Sequence, residues 1–523
     1  MQADKRFLQR LILAAVVLSF LDSQVAAQVL RWEKGRTEFP PRSETVASDS
    51  AIQPPKAAHV EPQKPVVLTL HPQAEPQPAL KYQFWPPAHE QVRGNAVVPT
   101  LRSMLLMKER ADYHEQRRLY LDRSRAWTQS PLHELPRDEV RNYLQYFRAT
   151  LAELKHADIM DSMLYDINIA SPTREDPFTL LLPELNELRE LGRLVQLDIR
   201  LALAEHRYDD AIASMKTGFR LSHTASQMHQ LLIGRLVGAA IGQMVLATVE
   251  EAVALPNMPN LYWALASLPQ DAWSMPGAMQ GEVLAIHKHL SALYRVPDEP
   301  ISAGAAQELL DEVLNDYLEF SAASADPRPQ DSVISVPVVQ RAAASLWFVS
   351  YAAKSREILR VREPYAARLE EYAVEQQVLL ASRLEIDEVL SEFLKPMLLP
   401  SDLRQTYLTR FQDNFRTGAA DLTPARAYAA LVLPAAKSAD QAALRVPQKI
   451  ALMMTVEAIR ASAASTGSLP ASLRDLSPIP AIDDPATGEA FEYERVTERT
   501  GILKRKLILT EQVPLNQYLV ELK

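Results

Sequence analysis

From residue 99 to residue 435 apolar side chains recur at three- and four-residue steps, and no stretch alternates apolar with polar. That period lays apolar residues along one face of a helix, whereas a half-buried strand needs a period of two. The segment is therefore expected to be helical throughout. Val140, Leu144, Phe147, Leu151 and Leu154 mark one such stripe, entered through Pro136 and a pair of acidic residues, a favourable helix start. Longer helices are expected at 183–206, 208–225, 227–254, 275–295, 303–323, 338–362, 365–396, 402–416 and 424–433. Proline-containing breaks fall at 171–183, 255–259, 297–300 and 326–337.

The remaining chain divides around this block. At 523 residues there is room for two or three domains of about 150 residues each. The first 27 residues read as a signal peptide: Lys5, Arg6 and Arg10, then the apolar run 11–21, then Val25-Ala26-Ala27 before Gln28. Asp22 ends the apolar run short of the roughly 20 residues that a membrane span needs, so cleavage is expected over retention as an anchor. The chain is then exported to the periplasm or cell envelope. Residues 28–95 cluster proline with Gln, Ala and charge. Such a composition buries too little apolar surface to offset chain entropy, and it reads as a disordered, Pro-rich linker. Residues 96–436 are assigned to the helical domain. From 443 a helix gives way to two strand-like runs, "EAFEYERV" and "ILKRKLILT", which marks a small α+β module at 443–523. The expected fold class is mainly α: an irregular helical domain followed by a small α+β module with a β-hairpin.

Composition excludes several functions. The chain has no cysteine, so thiolate nucleophiles, disulfides, iron–sulfur clusters, Cys-based zinc sites and a lipidated cysteine are ruled out. Its net charge of −9 disfavours binding to nucleic acid, which requires a surplus of Lys and Arg. Residues 201–219 are similar to the middle of a tetratricopeptide repeat, with Tyr208 and Ala211 at its aromatic and small positions. No second copy follows at the 34-residue period, so this is read as one TPR-like hairpin. In 231–255, Gly234, Gly238 and Gly242 line one helix face. That spacing suits close packing in a membrane, but Arg235 and Gln243 interrupt the run, and a mid-span arginine is costly. The segment is read as a buried helix packed against a neighbour, with no membrane span after signal removal.

Candidate chemistry is sparse. His287 and His289 diverge on a helix, as do His223 and His229, and His59, His71 and His89 lie in the linker. No metalloprotease, phosphate-loop, nucleophile-elbow or dinucleotide motif occurs. Glu385, Glu388 and Glu392 share a helix face, which suits either acid–base work or a solvated surface. In "DDPATG", Asp484 and Pro485 occupy the first two positions of a type I turn, and Gly488 supplies a left-handed exit. The competing reading is calcium held by Asp483, Asp484, Thr487 and Glu489, although EF-hand spacing is missing. The turn accounts for every residue. Neither catalytic nor cofactor-binding residues are assigned.

Two resemblances add to these readings. "GSLPASLRDL…DDPATGEAFEYE" resembles the C-terminal part of pseudopilin-type modules of type II secretion, some of which bind calcium near this turn. Here no prepilin cleavage motif precedes the helix, so the likeness implies a fold and not pilus assembly. "YQFWPPAHEQVRGNAVVPTL" (82–101), "RLALAEHRYDDAIASMKTGFRLS" (200–222) and "LPNMPNLYWALASLP" (255–269) resemble a group of exported, helix-rich bacterial proteins of unknown function, with Gly94-Asn95-Ala96 opening the helical domain. The likeness implies the same architecture and no activity. Three functions stay open: an exported scaffold or interaction protein with protein partners in the cell envelope, a component of a secretion or surface assembly, and an enzyme with an unrecognised site. Intact-mass analysis of the exported protein is expected to lack residues 1–27; a mass that retains Lys5 would overturn the cleavage reading.

Overall fold

The computed structural model describes residues 65–109, 113–163, 165, 184–228, 231–269, 271–324, 350–417, 434–505 and 517–523. The expected signal peptide, the linker as far as residue 64, the breaks at 171–183 and 326–337, the first part of the 338–362 helix and the 424–433 helix lie outside these residues.

The fold is mainly α, with a small sheet built largely from the C-terminal end. In chain order, β1 (Val66–Leu70) and β2 (Val92–Asn95) precede α1 (Val97–Lys108), α2 (Tyr113–Gln129), α3 (Arg137–Tyr146) and α4 (Arg148–Lys155). Strand β3 (Met160–Ser162) leads to α5 (Glu184–Ala204), α6 (Tyr208–Met228), α7 (Leu232–Val253) and the short α8 (Tyr262–Ala266). Next come α9 (Pro276–His289), α10 (Ser291–Tyr294), α11 (Ala303–Ser324), α12 (Ala352–Arg360), α13 (Val374–Leu394) and α14 (Ser401–Thr417). Helix α15 (Pro434–Thr466) is followed by β4 (Glu492–Arg495), β5 (Thr500–Lys504) and β6 (Gln517–Leu522).

Two expected boundaries are corrected. The Pro-rich linker does not run to residue 95: β1 joins the C-terminal sheet, whose order is β1-β6-β5-β4. β1 lies parallel to β6, from Val66↔Tyr518 to Leu70↔Leu522. "VVLTL" is a five-residue apolar run, and the prolines on either side hide it from a compositional reading. The division at 436/443 also fails, because it falls inside α15, a single helix. Residues of β1, α5–α8, α15, β5 and β6 share one apolar core, so the 443–523 module is not a separate domain. On β6, Tyr518, Val520 and Leu522 face inward, each worth about 1.5–3 kcal/mol of burial. A second core gathers α9–α13. A third, smaller cluster of Met275, Met279, Phe393, Met397, Leu408 and Ala443 bridges the two.

The helical block also contains a strand that periodicity does not show. β3 pairs in parallel with β2. The amide of Ala96 donates to the Ser162 carbonyl at 2.8 Å, and the Gly94 amide donates to Asp161 Oδ1 at 3.0 Å. Three residues are too few to display alternation. The expected 365–396 helix breaks at residues 372–373 before α13 begins. There Gln377 Nε2 donates to the carbonyls of Leu369 (3.2 Å) and Tyr372 (2.9 Å), a side chain taking the place of helical amides.

Helices α5 and α6 form the hairpin expected at 201–219. Its corner closes by two bonds: the Arg207 amide to the Ala202 carbonyl (2.9 Å) and the His206 amide to the Leu203 carbonyl (3.0 Å). His206 sits at φ 57°, the left-handed residue of a Schellman cap. Helix α7 crosses this hairpin closely. A Cβ on Gly238 would stand 2.0 Å from Ser226 Oγ and 2.6 Å from the Ser222 carbonyl. One turn on, Gly242 faces Ser222 Oγ at 3.0 Å and Val446 of α15 at 3.3 Å. Gly234 is buried on the same helix. Among the described residues α7 alone has the length and apolarity to cross a bilayer, and 61% of its apolar stretch is buried against the rest of the protein. Arg235 is tied within the fold, donating to Gln227 Oε1 at 3.1 Å and to the Ala272 carbonyl at 3.4 Å.

Gly238→Ala is expected to destabilise by about 1–3 kcal/mol through overpacking. Gly304→Ala, where a Cβ meets nothing within 4 Å, is expected to cost nothing or to gain up to about 1 kcal/mol. Urea denaturation of both variants checks the contrast; equal midpoints would overturn the close crossing.

Candidate functional site

The three segments 82–101, 200–222 and 255–269 meet at one joint. Tyr82 Oη donates to Asp209 Oδ1 at 2.7 Å, and Tyr208 Oη donates to the Pro256 carbonyl at 2.8 Å. The amides of Phe84 and Trp85 both donate to Ser267 Oγ, at 3.0 and 3.1 Å. The Phe84 ring lies 5.0 Å from Phe219. Tyr262 Oη then donates to the Pro480 carbonyl at 3.0 Å, carrying the joint into the C-terminal part of the chain. In the "GNA" segment Asn95 Oδ1 accepts from the Val97 amide at 3.1 Å and so opens α1.

Inside this joint the charged groups serve the main chain. Arg220 is buried, with its guanidinium 4.0 Å from the centre of the Trp85 ring, a desolvated cation–π contact. Its Nη2 donates to the carbonyls of Met160 and Ala157. Burial lowers its pKa to about 10. The ring of His223 meets Trp85 edge-on at 4.8 Å. Enclosure, then the charges of Arg220 and Arg235, drive its pKa down to about 3, so the imidazole is neutral at pH 7. Asp158 accepts from Thr217 Oγ1 at 2.6 Å, and burial raises its carboxyl to about 6.

A second cluster ties the first to α15. Arg460 and Glu457 are both wholly enclosed and pair at 2.8 Å. Arg460 Nε donates to the His71 carbonyl (3.0 Å) and Nη2 to the Met258 carbonyl (2.8 Å). Burial pushes the Glu457 carboxyl up, against the pull of Arg460. Lys449 joins Glu250 of α7 to the Tyr518 hydroxyl of β6.

The "DDPATG" stretch forms a four-residue turn. Asp484 and Glu489 make an antiparallel bridge, and Gly488 has φ 68°. The amides of Thr487 and Gly488 donate to the Asp484 carbonyl at 3.1 and 2.8 Å. Asp484 is buried; its Oδ1 accepts from the Ala486 amide at 2.9 Å and from Gln448 Nε2 at 3.1 Å. Arg505 Nη1 donates to Gln448 Oε1 at 3.1 Å. Asp483 is exposed, so the two calcium candidates occupy different surroundings. Among the described residues no group of three His, Asp or Glu stands ready to hold a metal. The other sequence candidates are dispersed. Glu388 pairs with Arg362 and Glu392 with Lys395 on the surface. His287 stacks 4.5 Å from Tyr294 while His289 is buried.

Beside Pro485 lies a cleft that sequence reasoning missed. It encloses about 470 Å³, solvent at its mouth included, and is walled by Trp273, Met275, Arg404, Asp440, Pro447 and Pro485. Ser401, at the start of α14, donates to the Pro485 carbonyl at 3.1 Å. Arg404 Nη1 donates to Asp440 Oδ1 at 3.0 Å and Nη2 to the Leu399 carbonyl at 3.1 Å. Gln405 Nε2 covers Asp440 Oδ2. Burial raises the Asp440 carboxyl, opposed by Arg404 and Gln405. Arg404 and Asp440 come from different helices, and of the residues lining the cleft the sequence marks only Pro485, as part of the turn. The chain matches no protein-family model, no curated protein and no solved structure.

Gly488→Val is expected to cost about 1–2 kcal/mol, the penalty of a left-handed conformation for a residue with a Cβ. Asp484→Ala is expected to cost about 1–3 kcal/mol by stranding the Gln448 amide. EDTA is expected to leave thermal melting unchanged; a drop restored by calcium would establish the metal reading instead.

Proposed function

We propose that this chain is an exported, non-catalytic helical scaffold of the bacterial cell envelope that acts through protein partners. The observation that carries the reading is the use of its interior arginines. Arg200, wholly buried, donates to the carbonyls of Trp127 and Ser130 and pairs with Glu251 at 2.9 Å. Arg220 and Arg460 likewise end on main-chain carbonyls. Arg200 and Arg460 each meet three fixed acceptors and Arg220 two; a guanidinium so committed holds segments in place and has few donors left for a substrate. The signal-peptide pattern of residues 1–27 supports export, and the resemblance of the three joint segments to exported helical proteins agrees with it.

The test is cross-linking of the protein in the envelope at its native level, followed by size analysis and mass spectrometry. The expected outcome is a discrete complex containing a second envelope protein at fixed stoichiometry. A protein that remains monomeric throughout would overturn the scaffold reading.

A further inference from the structure

Helix α1 carries small polar residues on its inner face and large apolar residues on its outer face. Thr100 and Ser103 are wholly buried. Each turns its hydroxyl back onto the helix, donating to the carbonyls of Ala96 (2.8 Å) and Pro99 (2.9 Å). Outside, Val98, Leu105 and Leu106 are 43%, 57% and 37% exposed. A single exposed apolar side chain is ordinary on a soluble protein, whereas several gathered on one face mark a contact surface. Seen down the axis, Val98, Arg102, Leu105, Leu106 and Glu109 fall within an arc of about 100°.

The charges of that face are one cation and one anion. The Arg102 side chain is 68% exposed, and its contact with Glu153 of α4 is loose, at 3.7 Å. Glu109, which follows α1 in helical conformation, is exposed, and among the described residues no ion pair holds it. Lys108, the other charge of α1, turns aside to Glu187 of α5 at 2.6 Å. Arg102 and Glu109 stand about 10 Å apart along the axis, at 1.5 Å per residue, too far to meet on their own helix. Leu105 and Leu106 lie midway between them.

This order of side chains is its own complement. A two-fold axis between Leu105 and Leu106 lays a second α1 antiparallel to the first and sets Leu105 against Leu106 of the second copy. The same axis sets Arg102 against Glu109 of the second copy at one end and Glu109 against its Arg102 at the other, because both residues stand equally far from it. We infer that two copies of this chain pair through the outer face of α1, with apolar contact at the centre and an ion pair at each end. The contact is isologous, one patch meeting itself. The pairing goes beyond the scaffold reading and does not rest on it. It is measured on the purified protein alone, so either can fail without the other.

The test is sedimentation equilibrium of the purified protein over a range of concentrations. The variants alter exposed positions and are expected to keep the melting temperature. The unaltered protein is expected to approach the mass of two chains as concentration rises. Leu105→Glu is expected to weaken pairing about tenfold or more by placing a charge at its centre. Arg102→Glu and Glu109→Arg each set like charges against one another, and each alone is expected to be monomeric. Mixed in equal amounts, these two variants are expected to pair, since each supplies the charge that the other now needs, and the double variant is expected to pair with itself. An unaltered protein that is monomeric at every concentration, pairing that survives Leu105→Glu, or a mixture that stays monomeric would each overturn the assignment. So would a different envelope protein seated on this face while the chain itself stays single.

Discussion

One turn of α15 organises the parts of this protein that are far apart in sequence. Glu457 and Arg460 face each other there with no access to water. Arg460 reaches the carbonyls of His71 and Met258, and its own carbonyl accepts from the Gln73 amide at 3.1 Å. Asn260 adds to the same turn, donating to the Glu457 carbonyl at 2.8 Å and to the Gln73 carbonyl at 3.2 Å. The segment after β1 and the loop before α8 are thereby fixed to one helix. Removing one member of a buried pair leaves the other charge uncompensated, at about 3–5 kcal/mol. That sum is a large fraction of a typical domain's stability.

The interior arginines share one task, the pairing of main-chain carbonyls, and for Arg460 that task follows from composition. The chain carries 37 prolines and only 14 glycines. Each proline keeps its carbonyl but brings no amide, so irregular segments rich in proline hold more acceptors than donors. Buried acceptors need partners, and a guanidinium supplies five N–H groups in a fixed plane. Arg460 answers such a surplus at His71 and Met258, which stand beside Pro72 and Pro259, whereas Arg200 takes carbonyls at the C-terminal end of α2, which a helix leaves without amide partners, and Arg220 takes those of Ala157 and Met160.

Much of the helical block was legible because its signal is local. The hairpin at Tyr208 and Ala211 and the core position of α7 follow from a 3.6-residue period. The turn at Asp484-Pro485-Gly488 follows from backbone preferences that each residue states for itself. What escaped was non-local. β1 is a five-residue strand among prolines, and its identity depends on a partner at the other end of the chain. β3 exists because β2 lies beside it. The composition changes from helical to mixed near 440 without a break in packing, because α15 runs through that point and shares its core with α7. The cleft is a meeting of α14, α15 and a turn, and no single stretch encodes it. The arginines that clamp the loops read, in sequence, like any other charged residue on a helix.

The parallel pairing of β1 with β6 sets a condition on the order of events. β1 spans residues 66–70 and β6 residues 517–522, so synthesis delivers the first strand long before its neighbour exists. Until then Leu68 and Leu70, both buried in the finished sheet, have no strand to lie against. Contacts this distant are slow to form, because a very long loop must close before they repay the closure. The helical hairpins between them rest on near neighbours and face no such delay. The sheet is thus the clasp of the molecule, fastened after the helices are in place, and because Tyr518, Val520 and Leu522 lie in the core shared with α5–α8 and α15, its closing also completes the packing of those helices.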